Sequence, residues 1–272
     1  MPTLKEMLKN KLTAKELALL PNSFDTIGNI AIFTSFPNEL KKKERLIAET
    51  LLKSNKNLKT IAKKTQQYSG KYRLQKIKII AGEKSKETLH KENGLQFKLD
   101  VEKCYFSPRT ASERIRIVRL INPQESVLVM FSGIGAFPLT IAKYSRAKEI
   151  YGIEINPAAH KYALENKRLN GCNNVTLLKG DVKKIMPKVK KRFDRIIMPL
   201  PKDASQYLSL ALKHLNKKGI IHFYDFSQEK DFPKASIEKI KKHLKKFKIL
   251  QAVKCGQYSP YTFRVCIDFQ HL

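Results

Sequence analysis

The chain has 272 residues, 42% of them hydrophobic, and carries 54 Lys and Arg against 24 Asp and Glu, a net charge of +30. That length suits one large or two ordinary domains, and the apolar fraction excludes global disorder. So large a positive excess attracts polyanions at long range, and heat adaptation does not account for it, because that raises glutamate together with lysine. Nucleic acid is the expected partner. A membrane surface is not, because the basic residues are spread along the whole chain and form no single amphipathic helix.

No apolar run approaches the roughly 18–20 residues needed to cross a bilayer. The first twenty residues, MPTLKEMLKNKLTAKELALL, form a charged amphipathic pattern with no h-region, so no signal peptide is expected and the cytoplasm is the expected compartment. Cys104, Cys172, Cys255 and Cys266 form no C-x-x-C pair, which points to reduced thiols and to neither zinc nor a disulfide framework. No metal is expected.

In chain order, periodicity predicts a helix over 4–19, a turn at Pro21-Asn22 and a strand around Ile27–Phe33. A lysine-rich helix near Glu39–Leu52 and strands over Lys71–Ala81 and Leu95–Val101 follow. After residue 110 the apolar runs VLVMF (127–131), IYGIEI (150–155), VTLLKG (175–180), RIIMPL (195–200) and GIIHFYDF (219–226) alternate with helical segments, the pattern of a doubly wound α/β sheet. The boundary between the two styles falls in 105–118.

In FSGIGAF (131–137) a G-x-G at Gly133 and Gly135 follows the first of these strands and opens a helix. Pro138 takes the third glycine position, so the dinucleotide fingerprint is incomplete. Glu154 ends the second strand about 20 residues later, where a carboxylate accepts the two hydroxyls of an adenosyl ribose. Asp181, followed by Val182, ends the third. Each acid alone reads equally well as a helix cap. Together with the glycine turn they define a nucleoside crevice that suits NAD or S-adenosylmethionine, and the missing third glycine favours the latter.

The segments ETLHKENGLQFKLDVEKCYFSPRTASERIRI (87–117), VLVMFSGIGAFPLTIAK (127–143), IYGIEINPAAHKYALENKRLNG (150–171), RIIMPLPKDA (195–204), GIIHFYDF and the closing YSPYTFRVCIDF resemble the archaeal–eukaryotic tRNA (guanine-37 N1)-methyltransferase family over about residues 21–272. The resemblance implies a short helical segment (1–20), an α+β tRNA-facing domain (21–112) and a C-terminal Rossmann-like methyltransferase domain (113–272). It implies S-adenosylmethionine as cofactor, the tRNA anticodon loop at guanosine 37 as target, and a monomer. Arg73 falls at the arginine that stabilises the reacting base, and Tyr105 and Arg109 lie in the YFSPR block, with Arg109 toward RNA. Glu113 matches the general base, and Arg114 follows it at the cofactor's edge. Phe131, Gly133, Gly135, Glu154, Asp181, Val182 and Pro199 would line the cofactor. The chemistry agrees with these types: N1 of guanine is a poor nucleophile until a base takes its proton, and an arginine steadies charge developing on the neighbouring carbonyl. An ion pair of Glu113 with Arg109 or Arg116 on one helix face is the plainer alternative.

The sequence departs from that family at three points. Val129 stands where relatives carry an acid, leaving Glu154 as the ribose anchor. Only about 20 residues precede the matching region, so dependence on the tRNA elbow is expected to be weak. At the fourth strand's exit the family's asparagine-leucine-proline is Pro199-Leu200-Pro201. Proline cannot orient a base by hydrogen bonding, but its ring can pack on a flat heterocycle, and a bifunctional archaeal class also methylates carbon 7 of the tricyclic wyosine precursor. Pro199 reads equally as the mark of that class or as an apolar replacement that still packs on the cofactor, with plain N1 methylation unchanged. The alternatives are an aminocarboxypropyl transferase of wyosine synthesis, a non-catalytic RNA-binding protein, and a DNA adenine-type methyltransferase, which Pro199 and the FSPR block disfavour.

Overall fold

The computed structural model describes residues 3–21, 23–200 and 202–272; Asn22 of the expected turn and Pro201 of the strand exit lie outside them. The chain divides into two compact units, the first ending at Pro108 and the second beginning at Arg109.

The first unit opens with two short helices, α1 (Leu4–Leu8) and α2 (Ala14–Ala18), where the sequence pattern suggested one. The cause is local. Thr3 and Thr13 each accept from the backbone N–H three residues on, and Glu6 and Glu16 reach back to the threonine N–H, so two capping boxes start two helices. Likewise the strand expected at 27–33 is a hairpin, β1 (Phe24–Ile27) and β2 (Ile30–Phe33), turning at Gly28-Asn29. Gly28 has φ +56, and a Cβ there would lie 2.1 Å from Thr88 Oγ1, so only glycine fits. The lysine-rich segment becomes a 3₁₀ stretch (Asn38–Lys43) leading into α3 (Glu44–Ser54). β3 (Thr60–Ser69) and β4 (Leu74–Gly82) complete a sheet of order β1-β2-β3-β4. Leu8, Phe33, Leu40, Ile47 and Ile61 form its core. A separate hairpin, β5 (Glu87–Glu92) and β6 (Leu95–Asp100), turns at Asn93-Gly94, both left-handed as a two-residue I′ turn requires.

The second unit begins with α4 (Ala111–Arg119). Strands β7 (Ser126–Met130), β8 (Glu149–Glu154), β9 (Val175–Lys179) and β10 (Phe193–Met198) alternate with α5 (Ala136–Tyr144), α6 (Pro157–Leu169), α7 (Val182–Ile185) and α8 (Leu208–Lys213), which follows β10. β11 (Leu215–Gln228), α9 (Lys234–Lys241), β12 (Phe247–Ser259) and β13 (Thr262–His271) close the chain. The sheet order is β12-β13-β11-β10-β7-β8-β9. The pairs among β11, β10, β7, β8 and β9 are parallel, and β13 is antiparallel to both neighbours. All five residues of β7 are buried, as a central strand covered on both faces must be. The chain reverses direction across the sheet between β7 and β10, so their carboxyl ends open a crevice at a topological switch point. No helix among the described residues is long and apolar enough to cross a membrane.

Candidate active site

Three residues of the turn after β7 are left-handed: Phe131 (φ 59), Gly133 (φ 57) and Gly135 (φ 87). Gly135 caps α5, and an added Cβ there would meet Leu139 at 3.3 Å and Ala163 at 3.4 Å. The close approach of turn to helix therefore depends on glycine. A non-glycine residue held in this conformation, as Phe131 is, costs about 1–3 kcal/mol and recurs at ligand-binding sites.

Glu154, at the end of β8, is buried, and its carboxylate holds the turn. Oε2 accepts from Gly133 N–H and Oε1 from Asn156 N–H, both at 2.7 Å. The cap of α6 is Asn156 itself, which accepts from the N–H groups of Ala158 and Ala159. Burial raises the Glu154 pKa, and the backbone N–H groups only partly offset it. Asp181 does serve as a cap, accepting from Lys183 N–H at 2.9 Å in the first turn of α7, with Val182 buried behind it. A side chain the sequence did not single out joins this group. Tyr207 packs edge-on against Phe131 (4.9 Å), with the Lys183 ammonium 5.0 Å over its ring. Its pKa is raised by burial and by the negative charges of Asp181 and Asp203. Ser132 Oγ, in the same turn, is buried without a hydrogen-bond partner. A strained turn, an acid at each of two consecutive strand ends and an orphaned hydroxyl fit an adenosyl nucleoside.

Pro199 follows β10 directly. Leu200 N–H donates to Met198 O at 2.8 Å, so the exit is a three-residue turn centred on the proline, whose fixed φ suits it. At the carboxyl edge of β10 it offers a half-buried ring and no side-chain hydrogen bond.

On α4, Glu113 is buried and forms a two-pronged ion pair with Arg116, Oε1 to Nη2 and Oε2 to Nε, both 2.7 Å. The plainer alternative for this residue is thus realised in geometry, with Arg116 as the partner. The pair continues inward. Tyr224 O–H donates to Glu113 Oε1 at 2.6 Å, and Arg116 also binds Asp268 (2.5 Å). Asp268 accepts from His222 Nδ1 (2.6 Å), whose Nε2 accepts from Arg195 (2.7 Å), and Arg195 is paired with Glu125. These contacts fix His222 as the neutral Nδ1–H tautomer. Burial lowers its pKa and the Arg195 and Arg116 charges add to that, while Asp268 works the other way. Burial pushes the Asp268 carboxyl up, but the hydrogen bonds from His222 and Arg116 and the Arg116 charge outweigh it and hold it well below the ordinary range. His222, Cys266 and Asp268 converge closely enough to suggest a metal site, yet the histidine's free lone pair and the aspartate are already taken by guanidinium groups.

Counting lone pairs on Glu113, Oε1 receives two donors and Oε2 one. Oε2 keeps acceptor capacity. The Tyr224 pKa is raised far above the ordinary value by burial and by nearby negative charge, Glu113 included, so the phenol stays a donor.

Arg114, next to Glu113, is buried, with Nη1 donating to Thr110 Oγ1 (2.6 Å) and its guanidinium 6.0 Å from the Phe137 ring. Arg109 is exposed at the first turn leading into α4. Arg73 and Tyr105 belong to the first unit. Arg73 closes the β3–β4 turn in left-handed conformation (φ 52), its N–H donating to Gly70 O. Tyr105 packs edge-on against Tyr68 at 5.1 Å, and Lys64 lies over the Tyr68 ring at 4.6 Å. The second unit thus carries Arg109, Glu113, Arg114, Phe131, Gly133, Gly135, Glu154, Asp181, Val182 and Pro199, and the first carries Arg73 and Tyr105.

A seven-stranded sheet with one antiparallel strand beside the edge, carrying a glycine turn and strand-end acids, has the architecture of a Rossmann-like nucleoside-binding domain. Residues 88–251 match the TRM5/TYW2 methyltransferase domain and residues 4–85 the TYW2 N-terminal domain. The chain belongs to the TRM5/TYW2 methyltransferase family. It is 40% identical to the tRNA (guanine(37)-N(1))-methyltransferase Trm5b of Pyrococcus abyssi, covering 92% of this chain and 75% of the relative. It is 36% identical to the tRNA(Phe) (4-demethylwyosine(37)-C(7)) aminocarboxypropyltransferase of Methanocaldococcus jannaschii (77% and 85%). It is 34% identical to the tRNA (guanine(37)-N(1))/4-demethylwyosine(37)-methyltransferase Taw22 of Nanoarchaeum equitans (77% and 85%). Among solved structures, the complex of aTrm5 and tRNALeu superposes with TM-score 0.87 at 30% identity, covering all of this chain and 78% of the other. M. jannaschii TYW2 in complex with AdoMet superposes with TM-score 0.69 at 29% identity, covering 92% of this chain and all of the other.

Proposed function

We propose that the chain transfers a methyl group from S-adenosylmethionine to N1 of guanosine 37 in the anticodon loop of tRNA, and to carbon 7 of the tricyclic precursor that wyosine synthesis builds at the same position. The observation that carries this reading is the Glu113 carboxylate, which is buried, held on both oxygens and left with acceptor capacity on Oε2.

When bound, S-adenosylmethionine supplies a methyl group already activated on a sulfonium. The residues that would hold it are Glu154 and Asp181 at the strand ends, Gly133 and Gly135 in the turn, and Phe131, Val182 and Arg114 around them. Their task is to align the acceptor in line with the methyl. Glu154 would accept the ribose hydroxyls on the lone pairs that its oxygens keep beside the Gly133 and Asn156 N–H groups, one of which each oxygen holds. Glu113 Oε2 takes the N1 proton of guanine. Arg116 stays anchored through that step because Asp268 keeps its counter-charge on the other side. Arg73 steadies charge on the carbonyl next to N1, and Tyr105 and Arg109 hold the nucleotide.

Pro199 favours the second substrate. A carbon nucleophile in an electron-rich ring needs no amide to orient N1, and the proline ring offers an apolar surface to a larger, flatter base. The test is incubation with S-adenosylmethionine and two tRNAs, one bearing guanosine 37 and one the tricyclic precursor, followed by mass analysis of the digested nucleosides. Methyl on both supports the reading, and methyl on guanosine alone removes the second activity. An aminocarboxypropyl mass, the reaction in the name of the M. jannaschii relative, overturns the reaction type. No product on either favours an RNA-binding role.

A further inference from the structure

The closing YSPYTF segment has no part in the chemistry above, yet it carries Tyr261 and Tyr258, 77% and 65% exposed, the most exposed large apolar side chains among the described residues. Both belong to the β12–β13 hairpin, whose tip lies between Ser259 and Thr262. Strand register says where that tip is. β10 and β11 run parallel with Met198 opposite Phe223, and β11 continues to Gln228, opposite Thr262. From Phe223 to Gln228 the hairpin overhangs the end of β10 by roughly 16 Å, at about 3.3 Å per residue. It overhangs the edge that carries Pro199 and the nucleoside crevice.

Strand alternation puts His222, Tyr224 and Phe226 on one face of β11, and Tyr224 identifies it as the face that packs against α4, since its hydroxyl meets Glu113. The ring of Tyr258 packs on Phe226, centroids 4.2 Å apart and tilted by 36°. An aromatic row therefore leads from Glu113 through Tyr224 and Phe226 to Tyr258 at the protruding tip. Around it, Lys254 pairs with Glu229 and lies 4.6 Å over the Phe263 ring, while Lys230 is exposed next to Glu229 and Asp231.

We propose that this hairpin is a stacking platform for an unpaired nucleobase of the RNA substrate, a loop nucleotide adjacent to the one being methylated, with Tyr258 as the stacking surface and Tyr261 beside it. The inference rests on the reading of Glu113 as the group that meets the target base. RNA is the occupant because the chain's charge of +30 selects a polyanion. Proteins that read unpaired RNA loops splay the bases onto aromatic side chains of this kind.

The test compares Y258A, Y258A/Y261A and Y258F with the wild type. The readouts are tRNA affinity by filter binding, S-adenosylmethionine affinity by calorimetry, and KM and kcat for methylation. Loss of one base stack is expected to weaken tRNA binding about 10-fold or more in Y258A, with a parallel rise in KM. Cofactor affinity should stay at the wild-type value, and the thermal midpoint should fall by only the few degrees that loss of the Tyr258–Phe226 ring contact entails. Y258F should bind as the wild type does, since stacking needs the ring and not the hydroxyl. Unchanged tRNA affinity in Y258A/Y261A overturns the proposal, as does a Y258F variant as weak as Y258A. A dimer in solution that Y258A dissolves overturns it in favour of a second copy of the chain. A wild type that methylates tRNA while Y258A is unaffected removes this inference alone, whereas a wild type that neither binds nor modifies tRNA removes the functional reading with it.

Discussion

Tyr224 and Glu113, a strand residue and a helix residue 111 positions apart, share a hydrogen bond of 2.6 Å. The phenol occupies Oε1 together with Arg116, and Oε2 keeps acceptor capacity. On the proposed reading of Glu113 as the base, the bond selects Oε2 as the oxygen that takes the proton. Y224F should lower kcat about 10- to 100-fold, the range expected when a hydrogen bond to a charged group worth about 1.5–3 kcal/mol is removed. KM for both substrates should hold. E113Q should cost about 10²–10⁴-fold, as loss of a general base does. Single-turnover methyl transfer measures both. Near-wild-type rates in E113Q would mean that Glu113 is only Arg116's partner.

Arg116 stands between two buried carboxylates, Glu113 and Asp268. Replacing it with methionine strands both charges, so R116M should lose about 3–5 kcal/mol of stability in urea unfolding, well above an ordinary surface substitution. D268N, which leaves Arg116 with Glu113, should lose less.

The same aspartate makes stability sensitive to acid. The folded carboxyl of Asp268 is held well below its ordinary 3.8 by His222 and Arg116, which outweigh burial. The unfolded state therefore takes up the proton first as pH falls. The stabilisation is complete above the unfolded value and disappears as pH falls toward the folded one. Urea midpoints between pH 5 and pH 2 should drop more steeply for the wild type than for D268N. Parallel slopes would place the acid sensitivity elsewhere.

Glu154 shifts the other way. Burial raises its folded pKa, so between its ordinary 4.5 and the raised value the folded protein holds a proton that the unfolded chain does not. Stability from this group is present below the ordinary value and lost as pH rises through the raised one. Ligand binding follows the charged form, because accepting two ribose hydroxyls needs the carboxylate. S-adenosylmethionine affinity should therefore weaken as pH falls toward the raised pKa, beginning above 4.5. Calorimetric titration across this interval should show the loss in the wild type and a flat, weak response in E154Q. A flat wild-type curve would remove Glu154 from the cofactor's contacts.

What the sequence made legible follows the range over which each cause acts. The parallel strands of the second unit were readable because each is a short apolar run between helical segments. The break between α1 and α2 was written in the repeated T-x-x-E, but the amphipathic pattern running through it masked that signal. β12 escaped notice because it is an edge strand with an irregular exposure pattern and three register shifts against β13. At the site, Glu113 and Arg116 are three apart on one helix, so their pairing was foreseeable. Tyr224, His222 and Asp268 reach them only through the register of β11 and β13, and Tyr207 meets Phe131 only through the path of the chain after β10. Local spacing carries none of those contacts.

Pro199 is the position where one side chain tests substrate choice. In the structure it centres the turn at the end of β10, with Leu200 N–H bonded to Met198 O. Asparagine can keep that backbone geometry and add a donor and an acceptor at the mouth of the crevice. P199N should therefore retain or raise methylation of guanosine 37, where an amide can orient the base. It should lose most of its activity on the tricyclic precursor, whose larger ring gains an apolar neighbour in the proline and an unmatched polar one in the asparagine. The measurement is the ratio of kcat/KM on the two tRNAs, with thermal midpoints confirming that the strand exit still folds. An unchanged ratio would show that the proline does not select the base and that its role is confined to shaping the end of β10.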